Sequence, residues 1–411
     1  MNITITPTQL KGRVIAPPSK SQAHRLIIAA ALADGESVIS NVAYSQDIEA
    51  TIRCMEELGA SFTRDGSTLT VNGLGANAMS PMRKLPFPHL DCGESGSTLR
   101  FLIPVALAVR GGGVFTGSGR LMERPLQPYF DLFDEKGISY ELKDNTLTVT
   151  GLLTPGEYRL PGHVSSQFFS GLMFALPLLN GDSRIAITSP LESGSYVEMT
   201  RDAIHLAKVR THKGELPGCQ TYSPFRATVE GDWSQAAFFY AAHGLGNEVA
   251  IGGLAPFSTQ GDSAIVHFYQ EICTSDEELG QDVSNCPDLF PPLALLAALR
   301  KGLTTNIGGA ARLRLKESDR IAAVCDVLHT MGVRIIDEFA DGVSMVGVGR
   351  LKGNVTVDCH NDHRVAMMAA IAATCAEGPV TLVGAECVAK SYPNFWEDYE
   401  MLGGILEKSE G

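Results

Sequence analysis

Apolar and polar positions along this 411-residue chain recur in blocks. A block of about 55–75 residues opens with a short polar or acidic motif and an Ala-rich apolar run of about 12 residues, the length of a buried helix. A Gly follows, then a β-branched strand. A second helix ends in a phrase such as "LGA" or "MGV", and a short hairpin closes the block. The first block reads "SKSQAHRLIIAAALADG", "SVISNV", "DIEATIRCMEELGA" and "SFTRDGSTLTVNG". The second reads "CGESGSTLRFLIPVALAVRGG", "GVFTGSG", "RPLQPYFDLFDEKGI" and "SYELKDNTLTVTG". The third has "SSQFFSGLMFALPLLNG", "SRIAITSP" and "YVEMTRDAIHLAKV"; later blocks start at "GDWSQAAFFYAAHGLG", "CPDLFPPLALLAALRKG" and "NDHRVAMMAAIAATCAEG".

Six such blocks predict an α/β (α+β) repeat fold of two domains, three units each. The division falls near "ATVEGDW". Residues 19–230 form one domain, and residues 1–18 with 231–411 form the other, so the chain crosses twice. The leading stretch "ITITPTQLKGRVIAP" precedes the first block, and its strand is expected to complete a sheet of the later blocks. The third block decays after Val209, which predicts a shortened or mobile loop over 205–225. A cleft between the domains is the expected place for ligands.

Composition narrows the partners. Hydrophobic content of 44% and charged content of 19% are ordinary for a globular protein. A net charge of −13 argues against nucleic acid, which needs a basic face. The longest apolar runs are too short to span a bilayer, and "MNITITPTQLKG" has no signal-peptide core. No membrane partner is expected, and the expected location is cytoplasmic. The nine Cys are scattered without a C-x-x-C pair, which fits reduced thiols and no zinc site.

Candidate chemistry lies where the helices start. Lys20, His24 and Arg25 enter the first turns of one apolar helix, and Arg100 enters another. His363 and Arg364 follow Asp362; Lys316 and Arg320 flank the start of "ESDRIAAVCDVLHTMG", sharing a face only if the helix covers both. The third block offers Ser165, Ser166 and Gln167 instead. A helix start already carries free N–H groups and a positive field, so added cations oppose it unless an anion is bound. Phosphate or carboxylate would suit. Singly, each residue has an ordinary explanation: Ser19, Ser21 or Asp288 as an N-cap, Arg25 as a solvated charge, "KESDR" as a Ser318 cap with local ion pairs, Arg124 in a Pro-bounded loop. Recurrence at corresponding points favours the anion site. No G-x-x-x-x-G-K-[ST] or H-E-x-x-H is present, and "GGGVFTGSG" is a poor dinucleotide fingerprint because it surrounds a strand.

The motifs "PPSKSQAHR", "GESGSTLR", "ERPLQP", "SSQF", "SGSY", "EGDWSQAAFF", "CPDLFP", "LKESDR", "NDHR" and "AKSYPNF" occur in that order. Together they resemble the 5-enolpyruvylshikimate-3-phosphate synthase family of enolpyruvyl transferases. The resemblance implies two domains, each of three βαβαββ units around a pseudo-threefold axis, with the active site in the interdomain cleft. It also implies transfer of the enolpyruvyl group of phosphoenolpyruvate to the 5-hydroxyl of shikimate 3-phosphate, through a tetrahedral intermediate, with no cofactor and no metal. A monomer is expected, with only these two small substrates as partners.

Carried over by motif, Lys20, Gly96, Arg124, Gln167, Arg320, Arg364 and Lys390 are assigned to phosphoenolpyruvate. Lys20, Ser21, Arg25, Ser165, Ser166, Gln167, Ser193, Tyr196, Asp288 and Lys316 are assigned to shikimate 3-phosphate. Asp288 is the candidate base on the 5-hydroxyl, Glu317 the candidate acid toward the methylene, and Lys20 a sharer in proton transfer. Arg100 and His363 take supporting roles. Glu317 must carry a proton, while Lys316 and Arg320 push the other way, so bound anions have to offset them. Glu94 and Ser97 stand where the family's best-known pattern has Asn and Thr, and Arg312 where Asn is frequent, so no substrate role is carried to Arg312. Glu94 would need Arg100 or Arg124 as a partner. Inhibition by glyphosate, a phosphoenolpyruvate mimic for which Gly96 leaves room, is expected. The sister transferase acting on UDP-N-acetylglucosamine is the nearest alternative, but it has Lys-Asn where this chain has Lys20-Ser21 and usually a Cys in the loop that here reads "GSGRLMERP". A non-catalytic anion-binding protein would need the cations but neither Asp288 nor Glu317.

Overall fold

The computed structural model describes residues 1–79 and 86–409. The chain packs into two compact units, Pro18–Glu230 and Met1–Pro17 with Gly231–Gly411, and each has its own apolar core.

In unit Pro18–Glu230 the Ala-rich runs form three inner helices, Lys20–Leu32, Gly96–Arg110 and Ser166–Ala175. They are apolar on nearly every side because sheets and outer helices surround them. Small residues let them approach closely. A Cβ at Gly171 would lie 2.3 Å from Tyr129 Oη and 2.5 Å from Arg100 O. The outer helices Gln46–Leu58, Gln127–Lys136 and Gly194–Leu206 keep a polar face.

The sheets repeat one pattern. His89–Asp91 runs parallel to Gly112–Thr116, which pairs antiparallel with Thr146–Thr150, which pairs in turn with Ser139–Lys143. Alternation does the rest: Leu147 and Val149 point inward from a strand whose threonines stay half-buried. The first repeat has the same order, Glu36–Ser40 to Thr68–Asn72 to Ser61–Asp65, but takes its parallel partner from Arg226–Thr228 at the far end of the unit. The third repeat keeps Gly156–Leu160, Ser183–Ile187 and only a two-residue strand, Glu215–Leu216. That truncation is where the sequence pattern decays. Lys208, Lys213 and Cys219 take positive φ there, which turns the chain without a regular hairpin.

The second unit is built alike. Its inner helices are Trp233–Gly244, Phe290–Ala298 and His363–Ala373. Leu279–Asp282, Thr304–Gly308, Gly342–Val346 and Arg334–Phe339 reproduce the four-strand order. The leading stretch is two strands rather than one. Asn2–Thr6 lies antiparallel between Val380–Val383 and Ile405–Ser409, and Lys11–Ile15 runs parallel to Glu248–Gly252.

Five of the six inner helices open on a side-chain N-cap: Ser19, Ser95 and Ser165 in one unit, Asp232 and Asp362 in the other. Each cap contributes about 0.5–2 kcal/mol. The sixth follows the 3₁₀ turn Pro287–Leu289 and has prolines in its own first turn. Neutral Ser caps leave the inner helix starts of the first unit without a negative charge of their own. The Asp caps of the second bring their own.

Candidate active site

In unit Pro18–Glu230, Ser19 caps its helix and Lys20 follows at the first turn. Lys20 Nζ donates to Asp47 Oδ2 at 2.7 Å, from the start of the next helix. Arg25, 2% exposed, is not a solvated charge. Its Nε donates to Thr200 Oγ1 at 2.8 Å and its Nη1 to Ser21 O at 2.6 Å, and the guanidinium lies 5.0 Å from the ring of Phe101 and 5.7 Å from that of Tyr196. Burial lowers Arg25 to about 10, still charged at neutral pH.

His24 does not join these cations. It is fully buried, and its Nδ1 lies 2.7 Å from Thr51 Oγ1. Burial, then Lys20 and Arg25, hold its pKa well below the ordinary value, so it is neutral.

A second group gathers on the next helix start. Arg100 Nη1 donates to Gln167 Oε1 at 2.7 Å and Nη2 to Pro125 O at 3.2 Å. Gln167 Nε2 donates to Ser97 Oγ at 3.0 Å, so both ends of its amide are fixed. A Cβ at Gly96 would stand 2.8 Å from Arg124 Nη1 and 3.5 Å from Arg100 Nη1. Gly96, Arg100, Arg124 and Gln167 are therefore one cluster, joined by Ser165, which caps the helix carrying Ser166 and Gln167. Glu94 lies against the turn at Gly119, where an added Cβ would come 2.8 Å from its carboxyl carbon. Ser193 is buried with φ of 54° at the start of the helix that carries Tyr196. This is a strained conformation for Ser, of the kind that collects at binding sites.

The second unit holds Asp288, Lys316, Glu317, Arg320, His363, Arg364 and Lys390. Asp288 sits in the turn Pro287–Leu289 and caps no helix through its side chain. Its Oδ1 accepts from Arg320 Nη1 at 3.0 Å and its Oδ2 from Arg364 Nη2 at 3.0 Å. Arg320 also donates from Nη2 to Glu317 Oε2 at 2.6 Å and from Nε to Asp362 Oδ2 at 2.8 Å. Asp362 Oδ2 accepts from Ser318 Oγ too, at 3.0 Å, while Oδ1 caps the helix at Arg364 N, 2.9 Å. Lys390 Nζ donates to Asn361 O at 2.8 Å, an oxygen presented by the left-handed pair His360 and Asn361. His363 is buried beside Arg364.

Charge here is balanced by design of the neighbours. Burial favours the protonated form of Asp288, but Arg364, Lys316 and Arg320 outweigh it and hold the carboxyl below the usual range. Burial disfavours the charge on Arg320, but Asp362, Glu317 and Asp288 more than restore it. Lys316 is brought down to about 8, chiefly by burial.

Lys316 and Arg320 do not share a helix face. The helix begins at Arg320, and Lys316 closes the preceding 3₁₀ turn, Ala311–Leu315. Arg312, in that turn, donates to Ser284 O. Sequence reasoning passed over Asp47 and offered Ser318 as a helix cap; Asp319 caps that helix instead, accepting from Ala322 N, and Ser318 donates to Asp362. Asp362 carried a signal, as the polar residue just ahead of an apolar helix; Asp47 carried none linking it to Lys20.

The family model for EPSP synthase (3-phosphoshikimate 1-carboxyvinyltransferase) matches residues 5–399. The chain belongs to this family. It is 42% identical over 435 aligned positions to the 3-phosphoshikimate 1-carboxyvinyltransferase of Clostridium beijerinckii, covering 99% of this chain and 98% of that one. It is 40% identical to the protein of the same name from Clostridioides difficile, covering 99% and 98%. A solved EPSP synthase from Acinetobacter baumannii superposes with a TM-score of 0.79 at 25% identity and covers both chains fully. The α/β fold is thus that of the EPSP synthases. No helix among the described residues is long and apolar enough to cross a membrane.

Proposed function

We propose that this protein transfers the enolpyruvyl group of phosphoenolpyruvate to the 5-hydroxyl of shikimate 3-phosphate, releasing phosphate. Family membership and the names of the relatives support the reaction. The observation that carries the chemistry is Arg320, which holds Asp288 and Glu317 on one buried guanidinium. A candidate base and a candidate acid are thereby fixed relative to each other, as addition followed by elimination requires.

Two multiply charged anions must be held together, so cations must offset their repulsion. For phosphoenolpyruvate the proposal keeps Lys20, Gly96, Arg124, Gln167, Arg320, Arg364 and Lys390. For shikimate 3-phosphate it keeps Lys20, Ser21, Arg25, Ser165, Ser166, Gln167, Ser193, Tyr196, Asp288 and Lys316. Arg100 supports by fixing the amide of Gln167. Glu317 takes up a proton when the phosphoenolpyruvate anion engages the Arg320 guanidinium that otherwise pairs with it, and passing that proton to the enol methylene makes the neighbouring carbon electrophilic. The 5-hydroxyl adds there as Asp288 takes its proton. The tetrahedral adduct then loses phosphate and a methyl proton; Glu317, a carboxylate since its own donation, receives that proton, and the Lys20 ammonium shares as a donor toward the departing phosphate.

The proposal includes a cytoplasmic monomer whose partners are its two substrates; the net charge of −13 disfavours polyanions. Phosphate release from phosphoenolpyruvate tests the activity. Release is expected only with shikimate 3-phosphate present. Release that ignores it, or that follows UDP-N-acetylglucosamine instead, overturns the assignment.

A further inference from the structure

The motif "EGDWSQAAFF" has no part in the roles above, yet its side chains reach into the Asp288 cluster. Asp232 Oδ1 caps its helix, accepting from Ser234 N at 2.9 Å and Gln235 N at 3.1 Å. The same oxygen accepts the Ser234 hydroxyl at 2.6 Å. A hydroxyl has one proton, so the remaining lone pairs of Ser234 Oγ are left to accept. They accept from Arg364 Nη2 at 2.9 Å, and Ser234 O takes Arg364 Nη1 at 3.4 Å. Nη2 has two protons; the other goes to Asp288 Oδ2. Ser234 and Arg364 are 5% and 4% exposed, so water is not at hand to replace these bonds. One residue on, Gln235 Nε2 donates to Ser391 Oγ at 3.1 Å, beside Lys390.

We propose that Ser234 is a positioning residue that fixes the Arg364 guanidinium for the phosphoenolpyruvate anion, with Asp232 orienting its hydroxyl. A flexible guanidinium has many rotamers. Ser234 grips it through both a carbonyl and a hydroxyl, which leaves Nη2 aimed at the position of Asp288. The inference rests on the assignment of Arg364 to phosphoenolpyruvate.

The test is steady-state kinetics with each substrate varied, for Ser234→Ala, Ser234→Cys, Ser234→Thr and Arg364→Ala, with melting temperatures. Ser234→Ala keeps both backbone caps to Asp232, so the melting temperature is expected to stay within a few degrees. Loss of a hydrogen bond to a charged group is expected to raise KM for phosphoenolpyruvate about tenfold to a hundredfold. KM for shikimate 3-phosphate should move about twofold or less. Ser234→Thr should restore the affinity and Ser234→Cys should not, because a thiol is a weak acceptor. Ser234→Ala added to Arg364→Ala should cost nothing further. Three results would overturn the proposal. If Arg364→Ala raises KM for phosphoenolpyruvate and Ser234→Ala does not, Ser234 has no positioning role while the site assignment stands. If Arg364→Ala leaves that KM unchanged, the site assignment itself fails. If Ser234→Ala weakens both substrates equally and lowers the melting temperature, its role is structural.

Discussion

Asp288 Oδ2 lies 3.0 Å from Arg364 Nη2, and its other oxygen lies 3.0 Å from Arg320 Nη1. The candidate base thus occupies two cations that are also assigned to phosphoenolpyruvate. On the proposed assignment, substrate and carboxylate would compete for them. When the anion draws a guanidinium away, the carboxylate loses stabilisation and becomes a better proton acceptor. Asp288→Asn removes both the base and the competitor. Its kcat is expected to fall by about a hundredfold or more, as loss of a general base does. Phosphoenolpyruvate should bind no more weakly than to the wild type. Kinetics and a direct binding titration check the two halves separately; a kcat within tenfold of wild type would remove Asp288 from the chemistry.

Lys316 carries a pH dependence. Its lowered pKa, about 8, means that it begins to lose its charge just above neutral pH. A bound anion favours the charged form, so binding shikimate 3-phosphate should take up a proton between about pH 8 and the ordinary lysine range. Affinity should fall as pH rises through that window. Calorimetry in buffers of different ionisation enthalpy reads the proton directly. Lys316→Arg should flatten the pH dependence, because a guanidinium stays charged throughout.

How much of this was legible in the sequence depends on distance along the chain. The inner helices were, because a polar or acidic motif ahead of an Ala-rich run is a local signal; Ser19 was one of two cap candidates there, and Ser95, Asp232 and Asp362 cap the runs that follow their motifs. The partner of Glu36–Ser40 was not: Arg226–Thr228 comes from the far end of the unit, and nothing in either strand names the other. Lys316 looked like a helix residue because its spacing to Arg320 is helical. The backbone turns between them instead. The same limit hid the clasp on Asp288, whose two arginines come 32 and 76 residues later. His24 misled for another reason. Its position suggested a cation, but complete burial keeps it neutral.

Gly96 separates function from stability. It lies at the first turn of its helix with a backbone that any residue adopts, so Gly96→Ala should hold or slightly raise the melting temperature. Its new Cβ would come 2.8 Å from Arg124 Nη1. The backbone of the helix cannot yield, so the guanidinium moves. A displacement of this size at an anion-binding group is expected to reduce kcat/KM for phosphoenolpyruvate by about tenfold or more. Kinetics together with a thermal melt give the answer; an unchanged kcat/KM would mean that Arg124 does not hold this substrate.

His24 makes stability depend on pH. Thr98 donates to Ser95 Oγ at 2.7 Å, Thr51 and Thr98 hydroxyls are 2.7 Å apart, and Thr51 is 2.7 Å from His24 Nδ1. With Thr98 donating onward, Thr51 donates to Thr98, and His24 donates from Nδ1; the network assigns this neutral tautomer. Nε2 is buried with no hydrogen-bond partner among the described residues, so a proton there would have nothing to bond. In the unfolded chain the same imidazole titrates near 6.5. Below that pH the unfolded chain binds a proton that the folded chain does not, so stability is complete above about 6.5 and is lost as pH falls, by about 1.4 kcal/mol per pH unit. Carboxylates also titrate in acid, so the comparison is with His24→Asn, which keeps a donor toward Thr51. Between pH 7 and pH 5 the wild type should lose about 2 kcal/mol more than the variant in urea unfolding. Equal losses would show that His24 takes up its proton in the folded protein and that burial does not keep it neutral.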